Sequence, residues 1–304
     1  MTRQMPFLLR VLCFLSLLTF PYSALAAFEA TLDTGIQLDH LKWSTSAPGS
    51  GPNILSELTF KSLSPMGRLT LGWSSENRPV WVDLQYGFGK VVDGSVKDED
   101  FELDDREGLF SRSKHDSNDH NVQTGRFRLG YGQFGTKHFS VYPNMGFQWQ
   151  FARLKIEGGR VEIPDIDVDL SGLNSVYTAQ WYAFSIGTVL QYQFHQVPVL
   201  LVADANFFPY AYYEGQGRWN LRRDFEQDPS FKQDAQGLGA SLELQAQWQV
   251  RPQWEIGIGW RGQWFDADDG TTKFFLSDGQ TAKIPLRKVT HYTNFFFLNI
   301  SYQW

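Results

Sequence analysis

Cysteine is almost absent from this 304-residue chain, since Cys13 is its only one. It lies in a segment with Arg3 and Arg10, the short apolar run VLCFLSLLTF and the small-residue sequence SALA, which ends at Ala26. That order predicts a secretory signal peptide over 1–26 and a mature domain over 27–304. A mature chain without cysteine has no disulfide, no cysteine nucleophile and no thiolate metal site.

The sequence also lacks long apolar runs and an excess of positive charge. After residue 27, no segment is apolar for the length that a transmembrane helix requires. Without Arg3 and Arg10, 25 Lys and Arg stand against 33 Asp and Glu, which gives a net charge of −8. An acidic surface argues against a nucleic-acid partner.

Aromatic residues are abundant, at 16% of the chain with 11 tryptophans, although the mean hydropathy is −0.33. Transmembrane β-barrels combine these properties, because they carry two aromatic girdles and alternate apolar with polar residues. The C-terminal segment FFFLNISYQW alternates in this way and ends on the aromatic Trp304. Such an ending resembles the terminal signal by which outer-membrane barrels are recognised for assembly.

A two-residue alternation recurs along the chain, for example in GLGASLELQAQWQV, QWEIGIGW and VWVDLQYGFG. Short polar turns separate some of these segments and long polar connections separate others. The pattern predicts an all-β fold, a closed, transmembrane, up-and-down antiparallel β-barrel of about ten strands with five long external loops. The predicted long loops are 45–53, 92–120, 157–175, 216–236 and 266–288.

About ten strands enclose a lumen too narrow for a diffusion porin, because side chains fill small barrels. The alternation points eight charged residues inward: Glu29, Asp33, Asp83, Arg126, Arg128, Glu243, Glu255 and Arg261. Buried charges must be paired, so these side chains are expected to form a neutralised network that plugs the barrel. A path for protons or ions is the alternative.

Three segments resemble the omptins, ten-stranded outer-membrane proteases of Gram-negative bacteria. SELTFK at 56–61 is similar to the signature of the second omptin strand, VVDGSVKDEDFELDD to the aspartate pair at the top of the third, and SRSKHDSNDH to a histidine-containing piece of the following loop. The order of strands and loops agrees over nearly the whole mature chain.

The resemblance implies catalysis by an aspartate pair and, across the barrel rim, an Asp-x-His pair, which together activate a water. Asp98 and Asp100 match the aspartate pair. The opposite pair should fall near Trp219 and Leu221, where there is no Asp-x-His and the whole loop has no histidine.

Three functions remain open. The first is a non-proteolytic surface binding or structural protein that acts through its external loops. The second is an omptin-type endopeptidase in which His115 or His120 replaces the missing base beside Asp98 and Asp100. The third is a lipid hydrolase, because HDSND at 115–119 resembles a His-x-Ser motif with His115 as base and Ser117 as nucleophile.

The candidate catalytic residues are therefore Asp98, Asp100 and His115. No cofactor or metal is expected, because DEDFELDD lacks the spacing and the glycine of a calcium-binding loop. The predicted location is the outer membrane of a Gram-negative cell. The expected partners are outer-membrane lipid and a peptide or host-surface ligand at the external loops. The omptin resemblance also implies contact with lipopolysaccharide, for which Arg153 and Lys155 are the nearby basic residues, although the family's Glu-x-Arg pattern is not reproduced.

Overall fold

The computed structural model describes residues 26–75, 80–136 and 138–304, so the predicted signal segment lies outside the described residues apart from Ala26. Within those ranges the chain forms antiparallel β-strands and one 3-10 turn at 104–106, and no helix there is long and apolar enough to span a membrane. The strands are β1 (Ala26–Thr45), β2 (Ser56–Ser75), β3 (Val80–Lys90), β4 (Asp93–Phe101), β5 (Leu109–Asp116), β6 (Asn121–Tyr131), β7 (Phe134–Gly135), β8 (Phe139–Ile163), β9 (Asn174–Gln193), β10 (Val199–Arg218), β11 (Phe231–Arg251), β12 (Trp254–Phe275) and β13 (Thr281–Gln303).

These strands occupy ten positions in a closed ring. Strands β3 and β4 continue one another along β2, and β5 and β6 continue one another along β8. The two-residue strand β7 pairs only with the start of β8. Strand β1 pairs with both β2 and β13, which closes the ring, so the predicted ten-stranded up-and-down barrel is confirmed.

Two of the predicted loops are wrong. Most of 92–120 is a β-hairpin, since β4 and β5 pair with each other and extend the barrel wall. Most of 266–288 is likewise a hairpin, because β12 runs to Phe275 and β13 starts at Thr281. The physical reason is that a strand beyond the lipid has water on its outer face, so it loses the apolar alternation by which it was recognised.

An exposed apolar belt marks the membrane-spanning part of the outer surface. It includes Leu69 and Leu71 on β2, Phe127 and Leu129 on β6, and Leu298 on β13. On β4 and β5 the outer face is polar instead, with Lys97, Glu99, Arg112 and Lys114. The β4–β5 hairpin therefore lies beyond the membrane, at the end of the barrel opposite the short turns.

Aromatic side chains fill the lumen in this outer half. Trp181 stacks on Phe265 with 4.9 Å between ring centroids, and Phe60 stacks on Tyr177 at 5.4 Å. All four residues are at most 2% exposed. Close-packed rings therefore fill the lumen at this level.

Below the aromatic layer lies an ion-pair network. Arg68 donates from Nε to Asp33 at 2.6 Å and from a guanidinium nitrogen to Glu243 at 2.7 Å. Arg128 bridges Asp83 and Asp204, and the Asp204 contact is 2.5 Å. The predicted inward charges Asp33, Asp83, Arg126, Arg128, Glu243 and Arg261 are all buried.

The remaining two predicted inward residues, Glu29 and Glu255, line a cavity of about 480 Å³ at the short-turn end. The sequence reasoning did not include Arg68 and Asp204, although each bridges two partners in the network. Both lie on the inward-facing side of the two-residue alternation, as the predicted inward charges do. The same alternation therefore predicts Arg68 and Asp204 as inward residues.

Removal of Arg68 should strongly destabilise the barrel. The substitution Arg68→Met leaves the Asp33 carboxylate without its buried cation, which costs about 3–5 kcal/mol of unfolding free energy. The control is Arg287→Met, because Arg287 pairs with Asp269 at 3.6 Å on exposed side chains and should contribute about 0–1 kcal/mol. Chemical unfolding in detergent micelles measures both; equal unfolding midpoints for the two variants would contradict the network's role.

Candidate functional site

A cavity of about 170 Å³ opens at the outer end of the barrel, above the aromatic layer. The β4–β5 hairpin forms one wall and the segment after β10 forms another. Strand β10 stands four positions from the β4 position in the ring of ten, so these two walls are nearly opposite. The lining residues are Leu58, Val96, Asp98, His115, Ile156, Leu173, Ser175, Trp219, Leu221 and Arg222.

The predicted aspartate pair lies on the inner face of β4. Asp98 is the cross-strand partner of Leu58 on β2 and of Ser113 on β5. Asp100 is two residues along, so its side chain shares that face, but it does not line the cavity. The structure thus brings Asp98 and His115 to one cavity, with Asp100 beside them.

The Asp98 carboxyl is protonated near neutral pH. Burial raises the pKa of Asp98 to about 8, and the negative charges of Asp100 and Glu99 add to the shift while Arg222 opposes it. Its Oδ1 atom has no hydrogen-bond partner among the described residues. Burial also raises the pKa of Asp100, although hydrogen bonds from the Ser56 and Ser111 hydroxyls lower it in part. Asp98 is therefore a neutral group that can donate a proton or a hydrogen bond.

His115 is held by both ring nitrogens. Nδ1 lies 2.8 Å from the Gly158 carbonyl oxygen, and Nε2 lies 2.8 Å from the Ser113 hydroxyl. Because a carbonyl oxygen only accepts, Nδ1 carries a proton, and in the neutral ring Nε2 accepts from the Ser113 hydroxyl. The two contacts fix the orientation of the ring, with Nδ1 toward Gly158 and Nε2 toward Ser113.

The predicted pairing of His115 with Ser117 is wrong. The Ser117 hydroxyl donates to the Lys155 carbonyl oxygen at 2.7 Å and lies 3.3 Å from Nε2 of His120. The His120 ring is buried between strands, with Nδ1 2.7 Å from the Asn118 carbonyl oxygen, and does not line the cavity. A bend at 117–120 separates β5 from β6, so residues on either side do not continue one alternation.

Trp219 and Leu221 line the cavity on the wall opposite Asp98, where the omptin resemblance places the Asp-x-His pair. The Trp219 amide donates to the Ser230 hydroxyl at 2.9 Å, and its ring packs edge-on against Phe231 with centroids 4.9 Å apart. Arg222 next to them donates to Asp224 at 2.9 and 2.7 Å. This wall is therefore a well-anchored surface of apolar groups with one cation.

The described residues show no grouping of three or more histidine, aspartate or glutamate side chains placed to hold a metal ion. Arg153 and Lys155, the predicted lipopolysaccharide contacts, alternate on β8 with the buried inward residues Ala152, Leu154 and Ile156. They therefore lie on the outer face of the barrel, where Lys155 pairs with Glu157 at 3.2 Å.

The model of the Pom family, Protochlamydia outer membrane protein, matches residues 31–301. The chain belongs to this family. Location in the outer membrane follows from the family and from the barrel fold. No curated protein matches the chain in sequence.

Among solved structures, the chain is similar to the outer membrane protease OmpT from Escherichia coli. The identity is 11%, the match covers 94% of this chain and 99% of that chain, and the TM-score is 0.76. Weaker matches include Ail of Yersinia pestis in complex with the heparin analogue sucrose octasulfate (9% identity, 91% and 99% coverage, TM-score 0.31). A major outer membrane protein of Thermus thermophilus also matches (10% identity, 92% and 99% coverage, TM-score 0.34). The likeness shows that this chain has the same barrel fold as OmpT.

Neutralising Asp98 should stabilise the protein at alkaline pH. The folded protein holds the Asp98 proton up to about pH 8, whereas an unfolded aspartate loses it near pH 4. Rising pH therefore favours the unfolded state across this window. The free energy of unfolding of Asp98→Asn should exceed that of wild type by about 1–2 kcal/mol at pH 8, and the two should be equal at pH 4.

Chemical unfolding in micelles at pH 4, 6 and 8 measures this effect. Asp167→Asn, an exposed substitution in the segment between β8 and β9, is the matched control and should show no pH-dependent gain. A difference between Asp98→Asn and wild type that stays constant from pH 4 to pH 8 would show that Asp98 is charged when folded.

Proposed function

We propose that the protein is an outer-membrane barrel that binds a ligand at its outer cavity and external loops and does not hydrolyse peptides. The observation that carries the proposal is the occupation of the wall opposite Asp98 by Trp219 and Leu221. An indole and an aliphatic side chain cannot accept a proton from water, so the water-activating arrangement of an omptin lacks its base.

The groups that remain do not replace that base. Asp98 already holds a proton near pH 7, because burial raises its pKa to about 8. The basic nitrogen of His115 is occupied by the Ser113 hydroxyl at 2.8 Å, and not directed at a water between the two walls. A general base has to reach the proton that it removes, and this geometry gives a peptide-attacking water no such group.

The same cavity suits binding. Apolar side chains form most of its lining, and the neutral carboxyl of Asp98 and the cation of Arg222 supply two polar anchors. Such a mixture of apolar walls and few polar groups is typical of ligand sites. The Asn220 side chain holds the β10–β11 segment in place, because it donates to the Gly172 carbonyl oxygen at 2.7 Å and accepts from the Asn174 amide at 2.8 Å.

The proposal includes export and lipid contact. Residues 1–26 would be removed as a signal peptide during export to the surface of a Gram-negative cell, which leaves 27–304 as one barrel domain. Lipid surrounds the apolar belt, and Arg153 and Lys155 on the outer face of β8 would contact lipopolysaccharide phosphates. A peptide or host-surface molecule would bind at the loops, because loops on a rigid scaffold commonly carry binding.

Peptide cleavage tests the proposal. Refolded wild type with lipopolysaccharide should leave peptides with paired basic residues intact, whereas the double variant Trp219→Asp/Leu221→His should gain cleavage because it restores the missing pair. The matched control is Trp219→Phe/Leu221→Met, which keeps bulk and adds no base. Cleavage by wild type that is lost in Asp98→Ala would reject the proposal.

An omptin-type endopeptidase is the second candidate, and the shared cavity of Asp98 and His115 favours it. In that mechanism His115 would have to release Ser113 and accept a proton from water. Wild-type cleavage that is lost in both Asp98→Ala and His115→Ala, but retained in Ser113→Ala, would support it.

A further inference from the structure

The backbone around His115 is distorted in a way that only glycine allows. The pairing of β5 with β8 shifts register between Arg112 and Ser113 and again between Lys114 and Asp116, across His115. Gly158 and Gly159 have φ angles of +55° and +91°. A Cβ atom on Gly159 would lie 2.0 Å from the Lys114 carbonyl oxygen and 2.8 Å from Nδ1 of His115. The bulge thus lets β8 approach closely and places the Gly158 carbonyl on the imidazole.

The three groups form a chain of hydrogen bonds. The Gly158 oxygen accepts the Nδ1 proton at 2.8 Å, and Nε2 accepts the Ser113 hydroxyl proton at 2.8 Å. A serine hydroxyl bonded to an imidazole, which a third group holds in the correct tautomer, is the arrangement of an activated serine nucleophile. Here a backbone carbonyl is the third group.

A hydrogen-bond donor stands beside the serine. Asp98 is the cross-strand partner of Ser113, so their Cβ atoms are about 5 Å apart. Its carboxyl is neutral near pH 7, and its Oδ1 has no partner among the described residues. A neutral buried carboxylic acid can donate to an oxyanion, as oxyanion holes require. Asp100 and Glu99 on the same strand and Arg222 across the cavity are the charges that act on it.

Ser113 is partly exposed and adjoins two cavity-lining residues, Asp98 and His115, although it does not itself line the cavity. We propose that Ser113 is a nucleophile, activated by His115, that accepts the acyl group of a short apolar ester bound in the outer cavity. The aliphatic walls formed by Leu58, Val96 and Ile156 fit an apolar acyl chain. This activity goes beyond the proposed binding role and shares only its cavity.

The reaction balances with water as the second substrate. The Ser113 oxygen forms a bond to the ester carbonyl carbon while its proton passes to Nε2 of His115, and Asp98 donates a hydrogen bond to the oxyanion. The carbon–oxygen bond to the alcohol then breaks, and His115 gives the proton to the departing alkoxide. Water, deprotonated by His115, then adds to the acyl carbon. The bond from that carbon to the Ser113 oxygen breaks, His115 returns the proton to this oxygen, and the carboxylic acid leaves.

A small alkyl phosphonofluoridate tests the nucleophile directly. The Ser113 oxygen should form a bond to phosphorus as the phosphorus–fluorine bond breaks, and fluoride and the serine proton leave. Mass spectrometry of the full-length refolded barrel should find one adduct, on the peptide that contains Ser113. His115→Gln should slow labelling by about 10²–10⁴-fold, the usual contribution of a general base.

The controls are Ser111→Ala and Ser117→Ala, neighbouring serines that do not contact His115. Both should label at the wild-type rate, whereas Ser113→Ala should not label. Gly159→Ala should slow labelling because it displaces the Gly158 carbonyl, and circular dichroism should show a folded barrel for each variant. No adduct on folded wild type, an adduct on another serine, or equal rates in His115→Gln and wild type would overturn the proposal.

The pH dependence supplies a second readout. Labelling of wild type should fall above about pH 8, as Asp98 loses the proton with which it donates to the oxyanion. Asp98→Asn keeps an N–H donor at every pH, so its labelling rate should not fall there. An identical alkaline decline in both proteins would remove Asp98 from the mechanism.

Discussion

The absence of water from the membrane core is the constraint on which the rest of this structure depends. Every backbone N–H and carbonyl in that layer needs a partner within the protein, and a sheet satisfies them all only when it closes. Pairing of β1 with β13 supplies that closure. Ten strand positions then fix a narrow lumen, and the lumen must be filled by the protein's own side chains.

The lumen is filled in two chemically different ways. The outer half holds stacked aromatic rings, among which the Tyr177 hydroxyl donates to Gln233 on β11 at 2.6 Å. The middle holds Arg68, Arg128 and their carboxylate partners, which are tolerated because each buried charge has a counter-charge within hydrogen-bond distance. The aromatic layer also forms the base of the outer cavity, so the packing of its rings supports the side chains that line the cavity.

Extension of the wall beyond the lipid creates the outer cavity. Because β4 and β5 continue as paired strands, Asp98, Ser113 and His115 share one rigid inner face rather than a solvated loop. Enclosure by the opposite wall then removes water from Asp98 and raises its pKa to about 8. At the outer end of this OmpT-like barrel, the neutral acid Asp98 lies beside the contact between Ser113 and His115. The omptin resemblance places the aspartate pair and the Asp-x-His pair at the same end.

The sequence by itself determined the barrel, the number of strand positions and most of the inward charges, because a two-residue alternation records which face of a strand meets lipid. The omptin resemblance also implied that Trp219 and Leu221 stand opposite the aspartates. The sequence reasoning misjudged 92–120, because water on the outer face erases the alternation and charge alone resembles a loop. It paired His115 with Ser117, because the end of β5 at Asp116 leaves no mark in the sequence. Only the tertiary structure decided the contact of His115 with Ser113, since a bulge on β8, more than 40 residues away, directs the imidazole. The protonation of Asp98 likewise depends on burial by segments distant in the chain, which no local pattern encodes.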